Sequence, residues 1–596
     1  MIIIDYIEAG QLCKLTTDNV NNDWKRIRVY YSQISDQSAV FENAIELPWH
    51  AFISNLAILA DIESLFNIEL TFSAEANEML NASAKIRNDI SSLDKLQGIP
   101  EELLQAKLES LGFNSHRKLT EQQLRNLSKL SRLQFGATFS VPGAGKTTEA
   151  ISFFLLHRKS DQKLLVICPK NAFPAWEEQL QLCLPNQNLK IKRLTQGATR
   201  IESELKANED DVFLISYQQF NRCSSVIAKY LHHHATFVFV DESHRMKGGD
   251  KTDTGRQIQS ISHLPIGKLI MSGTPMPQSV ADLLPQYSFL FPTDGDVDTN
   301  NVQERIQKIY VRTTKNELLD PKDFPLHIIK TPIPLHEPQR HLYNLIRSEE
   351  LRQTSGIENN ARRLYRQLGK SYIRLLQVAS NPSLLLKSIY SFPDALREAI
   401  EYGDSNKLKY TALKARQLAK EGKKVLIWSG FVENIEVLTQ MLSDLGARCI
   451  HGKVEAGSDE EENTRERIVK DFHDDPNMYV LIANPAACSE GISLHTVCHH
   501  AIYLDRNYNA AQFLQSMDRI HRLGLTKGTE TTIEIVHSPD SIDDLINSRL
   551  TDKVRRMSQV MEDPSLNIEP VTVELDEEGF DEEDAKQLLK HLKGQL

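Results

Sequence analysis

The chain has 596 residues, 40% of them apolar and 25% charged, which excludes a mainly disordered, fibrous or collagen-like protein and allows about four domains. No apolar run reaches the ~18 residues of a membrane span, the start Met1-Ile2-Ile3-Ile4-Asp5 is not a signal peptide, and the seven cysteines form no Cys-x-x-Cys pair, so a reduced, cytoplasmic chain with no membrane partner is expected. The net charge of −11 taken alone argues against nucleic acid, yet residues 1–115 hold 8 Lys and Arg against 17 Asp and Glu, residues 562–596 hold 3 against 11, and the interior, 116–561, is left at +6.

Residues 1–115 combine a strand candidate, Ile27–Tyr31, with amphipathic stretches such as 51–66, and read as an acidic α+β accessory domain. From 116 to 330, short β-rich apolar runs at 135–141, 164–168, 212–216, 237–241 and 268–273 alternate with helical stretches, the pattern of a parallel α/β lobe. His232-His233-His234 precedes the fourth run and reads as a solvated strand entrance rather than a metal tract, because adjacent strand residues point to opposite faces. Residues 331–405 space Leu342, Leu345 and Leu351, then Leu375, Leu376 and Val378, as helices do, and predict a helical insertion or linker. Runs at 424–429, 448–452, 479–484, 501–505 and 531–537 predict a second α/β lobe over 406–561. The acidic tail, 562–596, with Glu574, Asp576, Glu577, Glu578 and Asp581 to Asp584, reads as solvated or flexible.

The chemistry begins at Ser140-Val141-Pro142-Gly143-Ala144-Gly145-Lys146-Thr147-Thr148, between a strand and a helix. In a phosphate loop the glycines let backbone N–H groups close on the β-phosphate, Lys146 bridges the β- and γ-phosphates, and the Thr147 hydroxyl ligates Mg²⁺. Pro142, Gly143, Ala144, Gly145 and Thr148 complete the candidate ATP contacts, and Ser140 stands where the strict pattern has its first glycine. About 95 residues on, Phe237 to Val240 leads into Asp241-Glu242, which predicts Asp241 on Mg²⁺ and Glu242 as the residue that orients and deprotonates water.

Asp241-Glu242-Ser243-His244-Arg245-Met246-Lys247 resembles motif II of helicase superfamily 2, and specifically its Swi/Snf-type branch. The resemblance runs through most of 119–556. Leu119 to Leu124 resembles the adenine-reading glutamine motif, with Gln123 as the reader. Val166 to Lys170 with Trp176, and Leu214 to Tyr217, are similar to nucleic-acid-contacting motifs. Met271 to Pro277 resembles motif III, and Val311 to Lys315, Gln339 with Tyr343, and Gln377 to Pro382 resemble segments that mark this branch. Lys424 to Gly430 resembles motif IV. In motif V, Gly491, Ser493 and Leu494 fit whereas Asn484 to Glu490 depart, and Asp505, Asn507 and Asn509 resemble the segment before motif VI. Gln515 to Gly524 resembles motif VI, in which Arg522 would be the arginine finger and Arg519 its support, the three-residue spacing placing both on one helical face.

The resemblance implies two RecA-like lobes, ATP and Mg²⁺ as cofactors, and double-stranded DNA as partner. Nucleic-acid contacts would come from Pro169, Lys170, Ser216, Tyr217, Ser429 and Ser493. It implies a DNA-dependent ATPase that translocates on duplex and remodels bound protein or DNA structures, in the manner of compact bacterial or phage-associated members. Two alternatives stand beside it: a strand-separating helicase, for which no wedge is recognisable, and an ATP-switched subunit of a nuclease, repair or antiphage defence complex, docked through the acidic N-terminal domain or tail.

Overall fold

The computed structural model describes residues 1–596 apart from 57, 58, 60, 61, 63, 64, 67, 93–95, 208, 277, 278, 356–360, 388–391, 455–463, 489–491, 562–581 and 596. Two compact units make up the chain, Met1–Thr313 and Thr314–Leu596.

The first unit opens with β1 (Ile2–Ile7), β2 (Leu12–Thr17), β3 (Ala39–Val40), β4 (Ala44–Pro48) and β5 (Leu70–Phe72), in the order β3-β4-β2-β1-β5. Ile2, Ile4 and Tyr6 alternate inward, as the two-residue period of a strand requires. The expected strand at 27–31 is instead the middle of a helix, Asn22–Ile34. Asn21 caps it by accepting from the Trp24 N–H, and Trp24, Ile27 and Tyr31 are buried on one face. A strand would have buried Val29 with its neighbours, but Val29 is exposed; the β-branched run hid a 3.6-residue period.

The same unit contains β6 (Phe135–Thr138), β7 (Lys163–Cys168), β8 (Ile191–Leu194), β9 (Val212–Ser216), β10 (Thr236–Asp241), β11 (Gly267–Met271) and β12 (Tyr310–Val311), all parallel in the order β12-β6-β11-β10-β7-β9-β8. His232 and His233 end the Tyr217–His233 helix and His234 caps it, so they are not a strand entrance, because β10 starts only at Thr236. Two of them meet the N-terminal segment, the His232 ring stacking on Tyr6 of β1 and His233 Nε2 lying 3.3 Å from Glu8 just after it, whereas His234 stacks on Tyr230 of its own helix. A Cβ at Gly295 would stand 1.7 Å from the Ser54 carbonyl oxygen, so only glycine allows this approach. Gln105 brackets the start of the glutamine motif, donating to Arg117 O and accepting from Leu119 N. Residues 1–115 are thus packed into the first unit.

The second unit has β13 (Leu326–Pro332), β14 (Lys424–Trp428), β15 (Arg448–Ile450), β16 (Val480–Ala483), β17 (Cys498–Tyr503) and β18 (Thr531–His537), parallel in the order β13-β18-β17-β14-β16-β15. Strand β13 spans the expected lobe boundary at 330 and belongs to the second sheet. It is an edge strand with no buried residue, which is why it lacks an apolar signal. Helices Glu337–Ser355, Ala361–Ser380 and Pro393–Glu401 fill the expected insertion.

The tail ends in a packed helix, Glu582–Leu592, which corrects the solvated reading for those residues; Glu574 to Asp581 lie outside the described residues. Ala585, Leu588 and Leu592 are buried, and fully buried Asp584 accepts from Arg549 Nε at 2.7 Å and Lys553 Nζ at 2.6 Å. The acidic composition masked apolar residues at helical spacing, and the pairing is what makes a carboxylate tolerable there. Among the described residues no helix is long and apolar enough to cross a membrane.

Candidate nucleotide-hydrolysis site

Because the second sheet of the first unit is parallel, the C-terminal ends of β6, β11, β10, β7 and β9 share one edge, where open α/β sheets bind ligands. The loop after β6 leads into the Lys146–His157 helix. Gly143 and Gly145 have φ of 87° and 84°, a region that side chains rarely adopt, and a Cβ at Gly145 would meet Gln123 Nε2 at 2.2 Å. Gln123 is buried against this loop: its Oε1 accepts from Thr120 N and its Nε2 reaches Ala144 O at 3.4 Å. Lys146 Nζ donates to Ser140 O at 3.0 Å. Pro142, Gly143 and Thr147 are half-buried and Ala144 is buried. Thr148 is buried, its hydroxyl engaged with Arg117 and Gln179, which leaves its backbone N–H as the group suited to a phosphate.

Asp241 ends β10, and Glu242 follows in the left-handed conformation, φ 57° and ψ 50°. Asp241 accepts from Trp176 Nε1 at 3.1 Å and from the Glu242 N–H at 3.0 Å. Burial and the neighbouring Glu242 charge push the Asp241 carboxyl up. Burial also opposes ionisation of Glu242, but His244, Lys146 and Arg245 outweigh it and hold that carboxyl below the usual range. Glu242 Oε2 is buried without a hydrogen bond, 3.3 Å from His244 Nδ1, and the same ring nitrogen lies 3.0 Å from Ser272 Oγ after β11. An ionised carboxylate whose Oε2 faces only the His244 ring suits a water-orienting base. The Thr147 hydroxyl and the Asp241 carboxylate are hard oxygen donors that fit Mg²⁺.

Behind the loop lies a polar network that sequence reasoning missed. Glu149, fully buried, accepts from Asn126 Nδ2 and Thr138 Oγ1, each at 2.7 Å, and Asn126 also donates to Thr313 Oγ1 at 3.0 Å. The signal was available as polar residues, Asn126 and Glu149, on otherwise apolar helix faces. Burial pushes the Glu149 carboxyl up from 4.5 to about 7, against the lowering by its two hydrogen bonds. Between these values the unfolded chain has lost the proton and the folded chain keeps it, so folding stability falls as pH rises from about 4.5 to about 7, by on the order of 3 kcal/mol. Glu149→Gln removes that loss. Its thermal stability relative to wild type should rise between pH 5 and pH 8, and a gap independent of pH would refute the assignment.

In the second unit the helix Ala510–Met517 ends before both motif VI arginines, so Arg519 and Arg522 lie in turns rather than on one helical face. Hydrogen bonds from Arg519 N to Ser516 O and Ile520 N to Met517 O tighten the chain there, and Lys315 Nζ holds Asp518 at 2.6 Å. Buried Arg519 donates to Gln515 O and to Ile492 O of motif V. Half-buried Arg522 has an Nε without a hydrogen-bond partner.

Of the expected nucleic-acid contacts, Lys170 is exposed, Ser216 is half-buried at the cap of its helix, and Pro169 is buried. Ser493 Oγ pairs with His495 Nδ1. Ser429 is fully buried with its hydroxyl donating to Asp505 at 2.6 Å, and Tyr217 is buried with its hydroxyl on the Asp241 and Glu242 carbonyls. Those two hydroxyls are committed inside the protein. Gly491, expected from motif V as a nucleotide contact, lies outside the described residues. Asp505 gathers more than its motif suggested, accepting also from Ser380, Asn434 and Gly430 N, which ties the helical insertion to the second sheet.

Residues 139–297 match the SNF2-related domain and residues 408–524 the helicase conserved C-terminal domain. The ISWI chromatin-remodeling complex ATPase ISW1 of Saccharomyces cerevisiae is 24% identical over 448 residues, covering 69% of this chain and 37% of that protein. The probable global transactivator of Orgyia pseudotsugata multicapsid polyhedrosis virus is 22% identical over 492 residues, covering 78% of this chain and 94% of that protein. The chain thus spans less than two fifths of the yeast relative and nearly all of the viral one. A solved Sulfolobus solfataricus SWI2/SNF2 ATPase core in complex with dsDNA is 18% identical, covering 77% of this chain and 97% of that one at a TM-score of 0.32, too low to add to the sheet order given above. With both domains matched in order, and the phosphate loop and Asp-Glu pair following β6 and β10 on either side of β11 in one parallel sheet, the chain carries an SNF2-related domain and a helicase C-terminal domain and is homologous to Swi/Snf-type ATPases of helicase superfamily 2.

Proposed function

We propose that the chain hydrolyses ATP with Mg²⁺ and uses the cycle to move along double-stranded DNA, displacing or remodelling what is bound there. The observation that carries the hydrolytic part is that the glycine loop leading to Lys146 and the Asp241-Glu242 pair follow β6 and β10 at the same edge of one parallel sheet. Thr147 and Asp241 would hold Mg²⁺, which neutralises charge on the β- and γ-phosphates when bound. The loop N–H groups from Gly143 to Thr148 bind the β-phosphate, and Gln123, against Gly145, meets the adenine. Lys146 carries its ammonium from Ser140 O to the γ-phosphate. Glu242 aligns the attacking water and takes its proton on Oε2. Arg522 supplies the further cation, and Arg519 holds motif V to motif VI.

The DNA part rests on the Swi/Snf-type motifs, on relatives named as chromatin remodellers and as a DNA helicase, and on the +6 charge of residues 116–561. Lys170, Ser216 and Ser493 remain the proposed contacts, and the acidic residues 1–115 the surface for a protein partner. ATPase rates of the full chain with duplex, single-stranded and forked DNA test this. We expect duplex alone to stimulate hydrolysis about tenfold or more. A requirement for a fork would favour strand separation, and no stimulation by any nucleic acid would favour an ATP-driven switch within a larger complex.

A further inference from the structure

We infer that Tyr217 is a positioning residue for Glu242: its hydroxyl fixes the main chain of the Asp241-Glu242 pair and joins the Ser216 turn directly to the hydrolytic base. The inference rests on the hydrolytic reading above. Tyr217 is 5% exposed. Its hydroxyl donates to Asp241 O and lies 3.2 Å from Glu242 O, so a single proton serves two adjacent carbonyls.

Glu242 needs such a hold. A non-glycine residue with φ 57° and ψ 50° costs about 1–2 kcal/mol and persists only where its surroundings over-determine it. Three contacts do so here. Tyr217 engages the carbonyl side, Arg245 N donates to Glu242 O at 3.0 Å, and the Glu242 N–H donates to Asp241 Oδ1 at 3.0 Å. The Arg245 guanidinium also lies over the Tyr217 ring, 5.5 Å from its centre, so the ring is held from the motif II side. On the other side Tyr217 begins its helix, directly after Ser216, whose hydroxyl accepts from Gln219 N. A shift of the Ser216 turn therefore moves a rigid ring whose tip is bonded to the base's own peptide. Trp176, bonded to Asp241, makes a second such link from the segment after Lys170.

Tyr217→Phe removes one oxygen and keeps the ring. With the full chain, saturating ATP and duplex, turnover should fall about 10- to 100-fold, as misplacement of a reacting group by a fraction of an ångström does, while the ATP KM, the duplex Kd and the Tm stay near wild type. In the Glu242→Gln background the same change should cost nothing further, because the group it positions is gone. Wild-type turnover in Tyr217→Phe beside an inactive Glu242→Gln would overturn the inference alone. So would a weaker duplex Kd with turnover retained at saturation, or an equal further loss in the double variant, which also decides the matter if the single variant is thermally weakened. Normal turnover in Glu242→Gln would instead remove the hydrolytic reading itself.

Discussion

The Glu242→Gln protein will bind ATP as wild type does and hydrolyse it about 10²- to 10⁴-fold more slowly, the usual contribution of a positioned general base. Glutamine has the shape of glutamate and leaves the backbone contacts of residue 242 in place, since these run through Tyr217, Arg245 and Asp241. What it lacks is a proton acceptor on the buried oxygen beside His244. Nucleotide affinity should survive because Lys146 and the glycine loop are untouched. Equilibrium binding of a fluorescent ATP analogue and single-turnover phosphate release measure the two quantities separately. Turnover within a few-fold of wild type would show that water is oriented by another residue, and His244, 3.3 Å from Glu242 and 3.0 Å from Ser272, would be the next to replace.

The parts of this site legible in the sequence are those whose chemistry is local. Gly143 and Gly145 flank a single residue because the loop needs left-handed φ values there, and Asp241-Glu242 follows four apolar residues because a buried parallel strand must end before it can present carboxylates. The less legible parts depend on what a side chain meets at a distance. Tyr217 and Ser429 carry hydroxyls that suit nucleic acid, and nothing nearby in sequence reveals that Asp241, Glu242 and Asp505 receive them. Ile27 to Tyr31 has strand-forming residues, but Asn21 caps a helix and the core takes Trp24, Ile27 and Tyr31; tertiary burial overrode local propensity. Net charge was the least informative signal. Asp584 counts toward an acidic tail, yet in the fold it is a fully buried partner of Arg549 and Lys553.

Arg522→Ala should leave ATP binding close to wild type and slow hydrolysis about 10³-fold or more, the effect of an arginine finger on phosphoryl transfer. The two motif VI arginines differ in how their guanidinium groups are used. Arg519 is buried and bonded to the carbonyls of Gln515 and Ile492, so Arg519→Ala leaves acceptors unsatisfied and loosens motif V from motif VI; its loss of rate should come with a lower Tm. Arg522 is half-buried with an uncommitted Nε, so its removal should cost rate with little change in Tm. Arg522→Lys keeps the charge but not the planar fork and should restore only part of the rate. Full rescue by lysine would mean that charge alone suffices. If instead Arg519→Ala lost more turnover than Arg522→Ala at unchanged Tm, the roles of the two would be exchanged, and Arg519 would have to leave its carbonyl partners to reach the phosphate.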